Sequence, residues 1–345
     1  MHDGVREALL TPARFERRAM GSPLRLTVVG VADDRAAAGW AAVSAAVEDI
    51  EQALSRFRAS ADLVALNGRA GDPACQPVHP RLYDAVAAAE RAWRATGGAF
   101  DPRVLADLER LGYRGAAPGP AAAGQGSAAA RQGSAATAAR RAAFTDGRWV
   151  RRDPRRRGIA IAAPLDLGGI GKGLALRWAF DILRDTLPEL GEAGCGALLE
   201  AGGDLVAAGA APQPGPWLVG IESPLAGAEI AVLELAAGAV CTSSIGVHAW
   251  TASDGRAVHH LLDPWTGAPG GDGLVAVTVA GPDPAWAEVW SKALFLDGAR
   301  GIGPRARAVG LAAWWIGGDG ALEMTPAARA RTTWVEAEAR AAVGR

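Results

Sequence analysis

Asp166-Leu-Gly-Gly-Ile-Gly-Lys-Gly173 joins an apolar segment typical of a strand to residues 174–187, whose apolar spacing predicts a helix. Unpaired N–H groups at the amino end of a helix attract anions, and glycines let a ligand approach the backbone closely. The segment therefore predicts a site for a phosphate or pyrophosphate group. A tight strand-to-helix turn without a ligand is the alternative interpretation.

The glycine pattern differs from two common phosphate-binding motifs. A Walker A loop has Gly five residues before its second Gly, and Ser or Thr after its Lys, whereas those positions here are Asp166 and Gly173. The Rossmann spacing also fails, because Gly169, Gly171 and Gly173 recur every second residue. The segment is therefore assigned to neither class of nucleotide-binding loop.

Helical and extended segments interleave on both sides of this turn. Residues 80–95 show the clearest helix signals, with Pro at the first position and two glycines after the end. Helices are predicted at residues 36–57, 80–95, 104–111, 174–187, 284–296 and 303–309. Strands are predicted as a pair within 148–162 and singly at 24–30, 197–199, 205–208, 217–221, 230–233, 239–242, 259–262 and 274–279. This order indicates an α+β fold with a mixed sheet.

Composition and charge exclude several classes of protein. The 345 residues carry a formal net charge of −1 and are 50% hydrophobic, which excludes general disorder and offers no electrostatic footprint for nucleic acid. The three cysteines are far apart, which excludes a disulfide scaffold and a cysteine-based zinc site. The isolated cysteines, together with an amino terminus that does not resemble a signal segment, predict a cytoplasmic location. No run approaches the roughly 18 apolar residues of a membrane helix, which predicts no membrane insertion.

A low-complexity segment interrupts the pattern at residues 115–141. It is dominated by Ala, Gly, Ser and Gln, and QGSAA occurs twice within it. Such a composition has almost nothing to bury against a core. We therefore predict a disordered insertion within a domain.

Only two lysines occur in the chain, Lys172 and Lys292, against 34 arginines. Lys172 belongs to the glycine turn, and Lys292 lies four residues after Glu288 on a predicted helix. Residues at this spacing share a helix face, so the pair is either a surface ion pair or a carboxylate and a second group presented to one ligand or cation.

Three of the five histidines lie close together in the sequence, at His248, His259 and His260. On a predicted strand His259 and His260 face opposite ways, so at most one of them serves a given site. A histidine beside a polar turn is suited to act as a general base. A structural histidine satisfied by its neighbours is the alternative.

Several short motifs, taken in order, resemble the ApbE family of flavin transferases, the FAD:protein FMN transferases. The motifs are Met20-Gly21-Ser22, residues 54–57 with Ser60 and Asn67, residues 97–102, residues 166–173, residues 201–204, Thr242-Ser243, residues 260–267 and Ala287-Glu288. The resemblance covers roughly residues 17–325, which we predict as one domain. Residues 1–16 are then a tail and residues 326–345 a C-terminal segment.

The resemblance implies an α+β fold with a mixed, mainly antiparallel sheet flanked by helices. It implies that FAD binds with Mg²⁺ and that FMN moves to a Thr or Ser hydroxyl of an acceptor flavoprotein, with release of AMP. The cofactor-binding residues it implies are Met20, Phe57, Ala99, Phe100, Asp101, Asp166, Gly168, Lys172, Leu174 and Thr242. The metal positions it implies are the carbonyl of Gly171, Glu288 and Lys292.

The sequence departs from the family pattern at the last two metal positions. Glu288 replaces Asp and still supplies an oxygen ligand, but Lys292 replaces Thr or Ser, and a protonated amine cannot ligate a metal. Lys292 is then a catalytic candidate that either brings positive charge to the pyrophosphate or repels the cation. His260, or alternatively Asp263, is the candidate base for the acceptor hydroxyl.

Two other functions share the same motifs. Water in place of the acceptor hydroxyl would make the protein an FAD pyrophosphatase that yields FMN and AMP. A protein that retained the pocket but not the metal would be a non-catalytic FAD-binding protein.

Overall fold

The computed structural model describes residues 11–113 and 147–337, and the predicted insertion at 115–141 lies outside them. The strands are β1 (Ala13–Ala19), β2 (Ser22–Val29), β3 (Gln76–Pro77), β4 (Val150–Asp153), β5 (Gly158–Ile161), β6 (Gly196–Ala201), β7 (Asp204–Gly209), β8 (Trp217–Glu222), β9 (Glu229–Leu235), β10 (Gly238–Ser244), β11 (Ala249–Thr251), β12 (Ala257–His259), β13 (Leu262–Asp263), β14 (Ala268–Pro269), β15 (Leu274–Gly281), β16 (Ala312–Gly317), β17 (Leu322–Met324) and β18 (Thr332–Val335). The α-helices are α1 (Asp33–Leu54), α2 (Asp62–Asn67), α3 (Pro80–Ala95), α4 (Leu105–Arg110), α5 (Gly171–Thr186), α6 (Pro284–Leu296), α7 (Gly298–Ala308) and α8 (Pro326–Arg329).

An eight-stranded sheet in the order β1-β2-β6-β7-β10-β15-β16-β17 forms the centre of the fold. Every neighbouring pair in it is antiparallel. Helices cover one face, and the three-stranded sheet β18-β9-β8 packs on the other. The predicted α+β class with a mainly antiparallel sheet is confirmed. The sheet was expected to be mixed, but its described strands are all antiparallel to their neighbours.

The central strands are buried on both faces because successive side chains point to opposite layers. On β16, Trp315 packs towards the helices, whereas Trp314 and Ile316 pack towards the small sheet. This explains why strands such as β15 read as continuous apolar runs. Across the described residues, no helix combines the length and the apolarity needed to cross a membrane.

The ends of the domain differ from the predicted boundaries. Strand β1 pairs with β2 from Ala13 onwards, four residues before the predicted start at residue 17. Its sequence, ARFERRA, places charged residues on an edge strand with one half-exposed face, so it lacks the apolar signal of a central strand. At the other end, β18 pairs with β9, so part of the predicted C-terminal segment belongs to the fold.

Several predicted elements have different limits in the structure. The helix predicted at 36–57 ends at Leu54, because Ser55 is extended and its Oγ accepts from the N–H of Phe57 at 3.1 Å. The helix predicted to begin at residue 174 begins at Gly171, inside the glycine turn. The strand predicted at 259–262 is wrong, since β12 ends at His259 and β13 begins at Leu262.

Candidate functional site

A cleft of about 1490 Å³ opens beside the amino end of α5. Its walls come from the β1–β2 turn, the end of α1, the loop before α4, the glycine turn, β10 and α6. All but three of the predicted site residues line it, the exceptions being Leu174, Glu288 and the alternative base Asp263. The lining residues are Met20, Phe57, Ala99, Phe100, Asp101, Asp166, Gly168, Gly171, Lys172, Thr242, His260 and Lys292. The tertiary structure thus brings distant motifs of the sequence to one place.

Leu174 does not line the cleft. Its side chain is fully buried in the core between α5, α3 and α6. The helix begins three residues earlier than predicted, so Leu174 already lies on the inward face of the first turn. The Leu174 side chain therefore packs in the core and does not contact the cleft directly.

The alternating glycines of the turn have three different surroundings. A β-carbon at Gly173 would lie 2.5 Å from the carbonyl oxygen of Pro284, so this glycine permits α5 to pack against α6. A β-carbon at Gly169 would lie 2.9 Å from Phe100. At Gly171, which lines the cleft, a β-carbon would meet nothing within 4 Å. Gly171 is therefore the position at which the backbone is open to a ligand.

Asp166 stabilises the conformation of the glycine turn. Its Oδ1 accepts a hydrogen bond from the N–H of Gly168 at 2.6 Å, and its Oδ2 lies 2.7 Å from Nε of Arg56. The Arg56 guanidinium in turn lies over the rings of Phe57 and Tyr113, at 4.2 and 4.8 Å from their centroids. Asp166 thus links the glycine turn to an aromatic wall of the cleft.

Three cleft residues, Arg56, Tyr113 and His248, were not among the site residues predicted from the sequence. Tyr113 stacks on Trp250 at 5.0 Å and contacts His248 edge to face at 5.9 Å. The only indication in the sequence that Arg56 belongs to the site was its position within the motif at residues 54–57. Tyr113 stands two residues before the low-complexity segment in the sequence, and no local pattern distinguishes it from a surface aromatic.

Lys172 extends from the first turn of α5 to the carboxylate of Asp204. Asp204 is nearly fully buried, and its Oδ1 also accepts from the N–H of Thr242 at 2.9 Å. Burial lowers the pKa of Lys172, but the charges of Asp204 and Glu288 outweigh it and raise that pKa above its ordinary value. Lys172 is therefore a cation at neutral pH.

The motif at residues 201–204 is a tight hairpin between β6 and β7. Ala201 pairs with Asp204, and the two residues between them, Gly202 and Gly203, have φ of 61° and 91°. Two positive φ values favour glycine at both positions of such a turn. The hairpin thereby positions the Asp204 carboxylate under Lys172. The equivalent turn between β1 and β2 holds Met20 at φ 49° in the cleft wall.

Glu288 lies behind the cleft wall rather than in it. Its side chain has no exposed area, its Oε2 accepts from the N–H of Gly173 at 2.7 Å, and its Oε1 accepts from Nζ of Lys292 at 3.2 Å. Lys292 lines the cleft with 15% of its side chain exposed. The pair is therefore a largely buried ion pair within α6, which contradicts the surface-pair interpretation, and the bond from Gly173 joins it to α5.

The predicted magnesium donors do not fit a divalent cation. An ammonium nitrogen has no lone pair to donate, and both oxygens of Glu288 already accept hydrogen bonds. In residues 11–113 and 147–337, no group of three or more acidic, histidine or cysteine side chains is arranged to hold a metal. The positive charge in this part of the cleft is therefore that of a lysine side chain and not that of a bound metal ion.

His260 lies in the break between β12 and β13 and lines the cleft. Its Nδ1 lies 3.3 Å from the carbonyl oxygen of His248, which can only accept, so Nδ1 carries the proton and Nε2 is the acceptor. Burial, together with His248 and the charge of Lys292, lowers the pKa of His260 well below its ordinary value. His260 is therefore neutral at pH 7.

His259, the last residue of β12, points away from the cleft. Its ring meets Phe295 edge to face at 5.9 Å, within the core beside α6. Burial lowers its pKa to about 4. The two adjacent histidines therefore have separate surroundings, and only His260 is available to a ligand.

Asp101 lines the cleft with its carboxylate already engaged. Its Oδ1 accepts from both the backbone N–H and Nε of Arg103, each at 2.9 Å, and Arg103 is itself buried. Burial raises the pKa of Asp101, against the opposing effect of Arg103. This carboxylate shapes the loop before α4 and is less available to a ligand than its motif indicated.

Comparison with known proteins agrees with this architecture. A model of the ApbE family matches residues 20–313. An FAD:protein FMN transferase of Klebsiella pneumoniae is 27% identical over 315 residues, which are 90% of this chain and 85% of that protein. The apo form of the flavinyl transferase ApbE of Pseudomonas stutzeri superposes with a TM-score of 0.73 at 27% identity, covering 93% of this chain and 96% of that one.

A second solved structure supports the fold. The ApbE protein of Thermotoga maritima superposes with a TM-score of 0.77 at 24% identity, covering 94% of this chain and 100% of that one. The matched region contains the glycine turn, the Asp204 hairpin, His260 and α6. This chain therefore belongs to the ApbE family.

Proposed function

We propose that this protein is an FAD:protein FMN transferase, which moves the FMN half of FAD to a Thr or Ser hydroxyl of an acceptor flavoprotein and releases AMP. One observation carries the proposal. Lys172, Lys292 and the open amino end of α5 meet in the same cleft as His260, a neutral histidine with a free acceptor nitrogen. Family membership and the names of the relatives support the same activity.

The cleft suits a dinucleotide. Its volume of about 1490 Å³ exceeds that of ordinary small-molecule pockets. At the amino end of α5 no side chain at Gly171 blocks an approaching phosphate. The N–H groups of Gly171 and Gly173 already bond to the carbonyl of Leu167 and to Glu288, so the direct donors to the phosphate are the two lysines. Phe57, 57% exposed, and the half-buried Tyr113 offer aromatic faces to a flavin ring. We assign the diphosphate to the amino end of α5 and the flavin to the aromatic wall.

The proposed reaction is a substitution at phosphorus. The acceptor hydroxyl oxygen forms a bond to the phosphorus of the FMN half, and the bond from that phosphorus to the bridging oxygen breaks. AMP leaves with the bridging oxygen, and the hydroxyl proton passes to Nε2 of His260. Charge develops on the phosphate oxygens, and the two lysines and the α5 amino end stabilise it.

Magnesium takes part in no step of this proposal, because Lys292 cannot ligate it and Glu288 is buried behind the cleft wall and paired with Lys292. The acceptor is proposed by chemical class, as a flavoprotein with a Thr or Ser at its attachment site. A cytoplasmic location stays a prediction. The three unpaired cysteines, Cys75, Cys195 and Cys241, support it.

The test is incubation of the purified protein with FAD and candidate acceptor domains, followed by intact-mass measurement of the acceptor. A covalent FMN adduct together with an equal amount of AMP is expected. AMP without an adduct would identify a pyrophosphatase, and FAD binding without AMP would identify a binding protein.

His260→Ala should lower the rate of transfer by about 10²–10⁴-fold while FAD affinity stays nearly unchanged. His259→Ala is the matched control, since His259 is adjacent in sequence but faces the core. Equal rates in the wild type and His260→Ala would contradict the assignment of the base.

A further inference from the structure

We propose that the ammonium group of Lys292 is the fixed cation of the diphosphate subsite, so that this protein binds FAD without a divalent metal ion. The inference rests on the proposed function, because it takes FAD as the ligand. It deepens that function by stating how the site meets the charge of its substrate.

The first support is the donor set itself. Glu288 is the only acidic side chain at the expected metal positions, and it is withdrawn from the cleft surface. The N–H of Gly173 and Nζ of Lys292 occupy one carboxylate oxygen each. Lys292, unlike Glu288, reaches the cleft. The ammonium group of Lys292 therefore faces the ligand, and the carboxylate of Glu288 lies behind it and accepts one of its hydrogen bonds.

The second support is the space made for the lysine stem. A β-carbon at Gly169 would lie 3.3 Å from Cδ of Lys292 and 2.9 Å from the ring of Phe100. The absent side chain at Gly169 thus lets the stem of Lys292 run alongside the glycine turn. An ammonium has three N–H donors, and the bond to Glu288 uses one of them. The others are suited to phosphate oxygens.

The third support is the choice of lysine in an arginine-rich chain. Both lysines of the protein line this cleft, whereas the other 34 basic positions are arginine. A lysine is a compact point charge, and an arginine presents a wide planar fork. Each lysine also has its own buried carboxylate partner, Asp204 for Lys172 and Glu288 for Lys292. The two ammonium groups form a matched pair of cations at the amino end of α5.

The experiment measures FAD affinity by flavin fluorescence, with metal-stripped protein in EDTA and then in excess Mg²⁺. The wild-type affinity is expected to be the same within about twofold in both conditions. Lys292→Thr should bind FAD about 10- to 100-fold more weakly in EDTA, as expected for the loss of a charged hydrogen bond, and Mg²⁺ should recover much of that loss. Arg300→Met removes one exposed charge outside the cleft and controls for net charge.

Removal of Lys292 leaves the carboxylate of Glu288 without its ion pair, so folding needs a separate check. The double variant Glu288→Gln/Lys292→Met removes both charges together and should bind FAD as weakly as Lys292→Thr in EDTA. Wild-type FAD binding that requires Mg²⁺ would overturn this inference and leave the proposed function standing. Wild-type affinity of the folded double variant in EDTA would also overturn it. Absence of FAD binding in every condition would overturn both proposals.

Discussion

A side chain added at Gly171 should weaken ligand binding while leaving the stability of the fold nearly unchanged. Gly171 is the first residue of α5, its φ is not positive, and a β-carbon there would meet no atom within 4 Å. Gly171→Val therefore places an isopropyl group in the open space of the cleft. Glycine is less favourable in a helix than other residues by at most about 1 kcal/mol, so the free energy of unfolding should change by no more than that.

The effect on FAD should be much larger. The new side chain occupies the open space at the amino end of α5, where the diphosphate is proposed to bind. Loss of two charge-assisted hydrogen bonds from the lysines to the displaced diphosphate, at about 1.5–3 kcal/mol each, corresponds to about 3–6 kcal/mol of binding free energy. This is a weakening of FAD affinity by about 10²–10⁴-fold.

Gly173→Ala is the matched variant, two residues along the same turn. Its β-carbon would lie 2.5 Å from the carbonyl oxygen of Pro284 and 2.6 Å from Cα of Ala285, so α5 and α6 must separate. We expect the free energy of unfolding to fall by about 1–3 kcal/mol. Urea denaturation measures stability and flavin fluorescence measures affinity. Wild-type FAD affinity in folded Gly171→Val would refute the placement of the diphosphate.

Three further predictions concern pH and the insertion. The pKa of His260 is well below its ordinary value, so the rate of FMN transfer should stay at its full value as pH falls through 6.5 and should decline only at lower pH. A midpoint at or above 6.5 in the pH–rate profile would contradict the assignment of a neutral base. His259 has a pKa of about 4 when folded and about 6.5 when unfolded, so the unfolded state binds its proton first and the free energy of unfolding should fall as pH drops from 6.5 towards 4. Urea titrations of the wild type and His259→Gln should show a smaller fall in the variant, and parallel curves would count against the burial argument. Replacing residues 115–141 with a short Gly/Ser linker should leave FAD affinity unchanged, since loop length has a small entropic cost, and lost binding or solubility would show that the segment is structural.

The sequence by itself determined the features that depend on neighbouring residues. The helices at Pro80–Ala95 and Pro284–Leu296 were predicted with the bounds that the structure shows, because Pro at the first position sets a helix start locally. Strands such as β15 were found because burial on both faces makes them continuous apolar runs, but β16 was not predicted.

Tertiary structure alone decided what each candidate side chain touches. Lys172 meets Asp204 across 32 positions of sequence, and Gly173 meets Glu288 across 115, so neither contact has a local signal. The three alternating glycines look alike in the sequence, yet only Gly171 faces open space. Local pattern specifies helix ends and strand faces, whereas the packing of α5 against α6 and the central sheet determines which charges are paired, which are buried and which are left for a ligand.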